Sequence, residues 1–248
     1  MQSPFSPALT IFAIIMTLSR SFLVGTASLV SFLATVRAGE VIQIDASDAF
    51  NTRTISTAVG GKLVPMRDNI DGAGGVATAS AAATFGAPDP HALPDDGKFP
   101  ATDKHPDIVM PYAKDDGASN QARRSAGGDA YVLSVPAKRY GKLFLFLSSG
   151  QGPSNLEIKL KYTDHTIETR TAVVPDWYWD LKPDDKDWCY VATDLSKWGP
   201  DKMLEKSHHS IFGLDIHPNP GKVLEKILVS KADAGIMVFY GATGLTAD

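Results

Sequence analysis

Cys189 is the only cysteine in 248 residues, so no intramolecular disulfide can form and packing has to supply the stability. A lone thiol with no base in view reads as a buried residue rather than as a nucleophile or an intermolecular bridge. Catalytic signatures are absent as well. There is no Gly-x-Ser-x-Gly elbow, and Gly150-Gln151-Gly152 lacks the strand-to-helix setting of a dinucleotide loop. His208, His209 and His217 come without metal-ligand spacing and read as surface histidines, since neighbours on a strand point to opposite faces. These absences leave enzymatic function without support from motifs.

Acid is missing from the N-terminus, where no Asp or Glu precedes Glu40 and Leu9 to Val36 is apolar apart from an interruption at Arg20. Ser21 to Val36 is short and rich in Ser and Thr for a membrane span, and Val36-Arg37-Ala38 offers the small residues a signal peptidase reads. Residues 1–38 are therefore expected to be a signal peptide cleaved after Ala38, with an uncleaved anchor as the alternative. Met16, followed by Arg20, would by itself begin a compact signal peptide. The expected product is secreted or periplasmic, has no membrane span after processing, and forms one domain over residues 39–248. Cleavage removes two arginines and no acid, so 22 basic residues face 28 acidic ones and the net charge is −6. Nucleic acid is not an expected partner.

What the chain has in quantity is β signal. Leu156, Ile158, Leu160 and Tyr162 alternate with Glu157, Lys159 and Lys161, the period-two pattern of a strand with one buried face. A two-residue turn at Asp164-His165 would set Tyr162 opposite Ile167, Leu160 opposite Thr169 and Ile158 opposite Thr171. His165 would then take a left-handed conformation. Leu143 to Leu147 is apolar at every position, as in a strand covered on both sides. Further strands are expected at Val41–Ile44, Asp107–Met110, Ala130–Val135, Phe212–Ile216, Leu224–Val229 and Gly235–Gly241, and Asp201 to His208 could form one or two helical turns. Between Asn51 and Gly128 the six prolines from Pro88 to Pro111 forbid long strands, so that half should be loop-rich, and Ala77–Ala83 could be a short helix. The fold class expected is all-β, a two-sheet antiparallel β-sandwich.

Three of the four tryptophans lie within twelve residues, in Trp177-Tyr178-Trp179 and Trp188, beside Asp180, Asp185 and Asp187. Aromatic rings pack on the C–H faces of sugars and carboxylates take their hydroxyls, so this loop is the candidate ligand site. Trp179 and Trp188 are the expected stacking platforms, with Trp177, Tyr178 and Asp187 as supporting contacts. The competing reading is that Trp177 and Tyr190 cap the core. Asp184, Asp185 and Asp187 lack the glycine and terminal glutamate of a calcium loop and read as a solvated charged loop, and Asp68-Asn69-Ile70-Asp71-Gly72, a second oxygen-rich turn, reads likewise.

Several phrases together resemble the galactose-binding-like jelly-roll domains of secreted bacterial carbohydrate-active proteins. They are Asp48-Ala49-Phe50-Asn51, Leu93-Pro94 leading to Val109-Met110-Pro111, Asp116-Gly117-Ala118-Ser119-Asn120, Val135-Pro136 with Tyr140, Tyr162-Thr163-Asp164, and Val174-Pro175-Asp176-Trp177. The likeness of layout runs over roughly residues 41 to 241. It implies a two-sheet sandwich, often with a structural calcium ion and often binding sugar at loops, and it implies no activity, since the fold hosts binding modules and enzymes alike. The functional expectation is a noncatalytic carbohydrate-binding module. The alternatives are a polysaccharide-active enzyme and a structural domain of the cell envelope.

Overall fold

The computed structural model describes residues 39–247; the expected signal peptide lies outside the described residues. In chain order the strands are β1 (Val41–Ile44), β2 (Ile55–Val59), β3 (Lys62–Val64), β4 (Val76–Ala77), β5 (Lys98–Phe99), β6 (Ile108–Val109), β7 (Arg123–Ala126), β8 (Asp129–Lys138), β9 (Tyr140–Gly150), β10 (Ser154–Tyr162), β11 (Ile167–Val174), β12 (Trp188–Trp198), β13 (Met203–Ile216), β14 (Leu224–Lys231) and β15 (Ile236–Thr246), with one helix, α1 (Ala79–Thr84). One sheet runs β1-β15-β9-β13-β12, with β7 also paired to β15, and the other runs β11-β10-β14-β8. Every pairing within these two sheets is antiparallel, which makes the molecule the two-sheet β-sandwich that the alternation predicts.

Between the sheets lies a first core. Leu156, Ile158, Leu160 and Tyr162 of β10 meet Leu143, Leu145 and Leu147 of β9, together with Leu133, Ile227, Val229 and Phe239. Each fully buried side chain of this size contributes about 1.5–3 kcal/mol relative to exposure. A second core explains why Leu143 to Leu147 is apolar at every position. Phe144 and Phe146 point to the outer face of the large sheet, where they pack with Ile55, Ile70, Leu93, Ile108 and Met110 from the loop-rich half. That half is thus a third layer over the sheet. It carries the short strands β2 to β6 and α1, whose first turn is capped by the Thr78 hydroxyl accepting from the Ala81 N–H. Gly150 lets the layer close down on the end of β9, because a Cβ there would overlap the Ile70 carbonyl.

The layer also has a charged centre. Arg53 and Asp115, with side chains 2% and 5% exposed, pair at 2.5 Å, and a second guanidinium nitrogen reaches the same carboxylate at 2.7 Å. Burial would raise the Asp115 pKa, but the hydrogen bonds from Arg53 and Thr57 outweigh it and hold the carboxyl below its ordinary value.

Two expectations require correction. The hairpin pairs Lys161 with Ile167, Leu160 with Glu168 and Ile158 with Arg170, one residue away from the register expected of a two-residue turn. The turn has three residues, closed by the Tyr162 N–H to Thr166 O bond, and its last residue, His165, is left-handed at φ 66°. The slip exposes Ile167 and turns Glu168 and Arg170 toward the inner side of an edge strand, where charge discourages pairing with other chains. Residues 203–216, expected to include helical turns near Asp201 to His208, form one continuous strand. Cys189 is buried, as expected, and burial together with the charge of Asp215 pushes its thiol up to about 11, which leaves it unreactive at neutral pH.

Candidate carbohydrate-binding surface

Between β11 and β12 the chain crosses from the small sheet to the large one, and residues 176–179 of this crossing are stitched down. The Asp176 carboxylate accepts the Gly152 N–H at 2.6 Å and the Tyr178 N–H at 3.0 Å, while its carbonyl accepts the Trp179 N–H at 2.8 Å. Trp177 donates its N–H to Ser149 O of β9 and accepts at its carbonyl from Ser210 N–H of β13, both at 2.8 Å. A loop tied to two strands this way presents its side chains in fixed directions, so little ordering entropy is left for a ligand to overcome.

The three aromatics then part company. Trp177 is fully buried in the second core, so it has no surface to offer a ligand, and it fulfils the core-capping alternative on the outer face of the large sheet. Tyr178 stands edge-on to it, with ring centroids 5.7 Å apart and 40% of the residue exposed. Trp179 is 51% exposed, the most open of these rings.

Trp188 lies on the other side. It starts β12 and packs against the first core, edge-on to Phe212 at 6.3 Å. Tyr190 also contacts Phe212, at 5.7 Å, and its hydroxyl accepts the Leu181 N–H at 2.7 Å. These rings, Leu181 and Thr102 to Lys104 line a shallow cavity of about 360 Å³. Asp187 is exposed beside a separate cleft of about 160 Å³ with Arg170, Asp215 and His217. The five residues expected to form one site are therefore not brought together: Trp177 is buried, Tyr178 and Trp179 are exposed on its loop, and Trp188 and Asp187 border separate hollows.

Around Tyr178 the structure assembles groups that the sequence pattern does not bring together. The Tyr178 hydroxyl donates to Glu205 Oε2 at 2.8 Å and accepts from Lys197 Nζ at 3.0 Å, and Lys197 also bonds Asp71 at 2.5 Å. Burial alone would depress Lys197, but its hydrogen bonds to Asp71 and Tyr178 prevail and raise it above an ordinary lysine; burial raises the Tyr178 phenol. Beneath them His209 packs 4.2 Å from the Trp177 ring and 4.3 Å from the Tyr178 ring. Reading His209 as a surface residue was incorrect, because it is fully buried, with Nδ1 on Leu195 O at 2.9 Å. Left-handed Ser207 and His208, at φ 61° and 80°, break the regular pleat of β13 just before it. The exposed His208 beside the buried His209 was the one sequence signal, and it is shared by any strand. Among the described residues no group of three or more His, Cys, Asp or Glu is arranged to hold a metal, and the carboxylates of Asp71 and Asp185 are occupied by turn N–H groups.

No family model matches the chain, and no curated protein matches it. Solved structures that align with part of the chain include three. PfGH50B aligns at 11% identity and a TM-score of 0.30, covering 52% of this chain and 21% of that one. An exo-beta-agarase aligns at 10% identity and 0.29, with 53% and 21% covered. The family 11 carbohydrate-binding module from Clostridium thermocellum, in complex with a beta-1,3-1,4-mixed-linked tetrasaccharide, aligns at 10% and 0.21, with 51% and 88% covered. The chain thus spans about a fifth of the length of the first two. Likenesses this partial say nothing about ligand or activity.

Proposed function

We propose that the chain is a secreted or periplasmic, noncatalytic carbohydrate-binding module of the galactose-binding-like jelly-roll kind. Its main contact is Trp179, supported by Tyr178, and a second contact lies at Trp188 with Asp187. The observation that carries this reading is the half-exposed Trp179 ring, held on a loop that is pinned to β9 and β13 and whose neighbouring Tyr178 hydroxyl is bonded to Lys197 and Glu205. A flat apolar ring next to fixed donors and acceptors suits a sugar, which presents C–H faces rimmed by hydroxyls. Among the described residues no helix is long and apolar enough to cross a membrane.

The test is a glycan and polysaccharide binding screen with reducing-sugar release measured in the same wells. Trp179→Ala should abolish retention on the bound polysaccharide with little change in melting temperature, and Trp188→Ala should weaken retention and also lower the melting temperature, because that ring packs against the first core. Absence of binding to any glycan removes this reading. N-terminal sequencing of the exported protein checks the compartment, and a chain that keeps Phe22 to Phe32 refutes processing at Ala38.

A second reading, an enzyme acting on polysaccharide, is favoured by one feature. The Tyr178 phenol sits between an ammonium and a carboxylate above a buried histidine, a set of groups able to exchange protons. It requires product release that is lost in Tyr178→Phe while glycan retention persists.

A further inference from the structure

Where β12 advances two residues, from Leu195 to Lys197, its partner β13 takes four, from His209 back to Glu205. The extra length is absorbed at left-handed Ser207 and His208, a conformation that residues with a Cβ enter at a cost and that strands use to re-aim side chains. On a regular strand residues four apart are separated by about 13 Å. Here the two side chains meet, with Glu205 Oε2 3.8 Å from His209 Nε2.

The tautomer of His209 follows from its partners. Nδ1 lies 2.9 Å from the Leu195 carbonyl, which can only accept, so Nδ1 carries the proton and Nε2 of the neutral ring is a bare acceptor. Nε2 is buried without a hydrogen-bond partner, and the Glu205 carboxylate that it faces is an acceptor too. A proton on Nε2 turns this opposition into a charge-assisted pair. The same carboxylate oxygen accepts the Tyr178 hydroxyl at 2.8 Å, so the protonated ring and the phenol compete for it. The other charged and titratable groups around the ring are Lys197 on β12, Asp71 ahead of β4 and the Tyr178 phenol packed on its face. Burial is the largest influence on the imidazole and lowers its pKa below 6.5; Lys197 acts in the same direction, while the Leu195 carbonyl, Glu205 and Asp71 oppose them.

We propose that this bulge gates the aromatic loop by pH: when His209 takes up a proton, Glu205 moves onto Nε2, leaves the Tyr178 hydroxyl, and the bound glycan is released. The gate rests on the reading of this loop as the glycan surface. Tyr178 supports Trp179 there, and without its acceptor the phenol ring is no longer held at that angle. Glu205 is half-exposed, so its carboxylate also gives the buried nitrogen a route to protons from water. The glycan favours neutral His209, and linkage therefore requires binding to lower the pKa of His209 further. Binding is whole above about pH 6.5 and is lost as the pH falls through the folded-state value.

The experiment follows the imidazole signals of His209 and the ring signals of Tyr178 by NMR in the full chain from about pH 7.5 to about pH 5. Affinity electrophoresis over the same range uses gels containing laminarin, mixed-linkage β-glucan or galactomannan, which carry no charge that could titrate. Tyr178 should shift with the same midpoint as His209, while the core signals of Leu160 stay fixed. In Glu205→Gln, a change at a half-exposed side chain, Tyr178 should no longer follow His209. Retention should weaken about tenfold from the upper to the lower pH, a coupling of ordinary size, and His209→Gln should remove that dependence. The gate is overturned if Tyr178 ignores the His209 midpoint, if it still follows His209 in Glu205→Gln, if Leu160 moves with them, or if retention falls equally in His209→Gln. Retention that is independent of pH removes the gate and leaves the glycan reading standing, whereas no retention in any gel at the upper pH removes both.

Discussion

Trp177 and Trp179 are two positions apart and fully buried and 51% exposed respectively, so replacing each by alanine tests the site and the packing together. Trp177 fills the second core, touches the rings of Tyr178 and His209, and lies about 6 Å from the Lys197 ammonium. Its removal deletes a large buried ring and leaves a cavity, which costs about 3–5 kcal/mol for Phe or Trp to Ala. For a domain of this size 1 kcal/mol moves the melting temperature by about 2–4 °C, so Trp177→Ala should melt about 6–20 °C lower. Trp179→Ala takes away a half-exposed ring that supports little else, and such surface changes stay within about 0.5 kcal/mol. It should melt within about 2 °C of the parent, yet lose retention when run through a gel containing the polysaccharide. Differential scanning calorimetry and affinity electrophoresis on the same preparations make the comparison. Equal melting losses for the two variants would refute the placement of this loop, and a Trp177→Ala protein that melts like the parent would refute the second core.

Burial is the largest influence on His209 and pushes its pKa below the ordinary 6.5. The unfolded chain then binds the proton more readily than the folded one, so stability is whole above about pH 6.5 and declines as the pH falls through the depressed value. His209→Phe should flatten that decline, as read from urea midpoints between about pH 5 and pH 8. Arg53→Met leaves Asp115 buried without its partner and should cost about 3–5 kcal/mol by chemical denaturation; a loss under about 1 kcal/mol would mean that the third layer is not held by this pair. On β10, Leu160→Ala should cost about 2–5 kcal/mol and Lys159→Ala under about 0.5, and equal costs would mean that the two faces are misassigned.

Much of the sandwich was legible because strand periodicity is local. The alternation from Leu156 to Tyr162 names its own buried face, and the unbroken apolar run from Leu143 to Leu147 announces a strand covered twice. The left-handed His165 was also readable, since the turn contains no glycine. Register was not, because one extra turn residue shifts every partner along the strand while leaving the sequence pattern unchanged. The helical turns expected near Asp201 to His208 failed for a related reason: pairing of this part of β13 with β12 overrode a weak local preference in a charged segment.

The aromatic loop shows where sequence stops. The sequence order shows that Trp177, Tyr178, Trp179 and Trp188 are close in the chain. Which rings reach solvent, and on which face, depended on how residues far away in sequence close over the sheet. Trp177 is sealed in the core that the loop-rich half completes, and Trp188 turns to the opposite face because it alternates along β12 with Cys189, which faces that second core. The same folding-over brings Asp71 to Lys197, and through Lys197 to Tyr178, across 126 residues. Sequence alone determined the β-sandwich, the buried faces of its central strands and the single inert thiol. Tertiary structure decided the third layer, the register and the division of the aromatic residues, because these depend on packing between distant segments that a local period cannot encode.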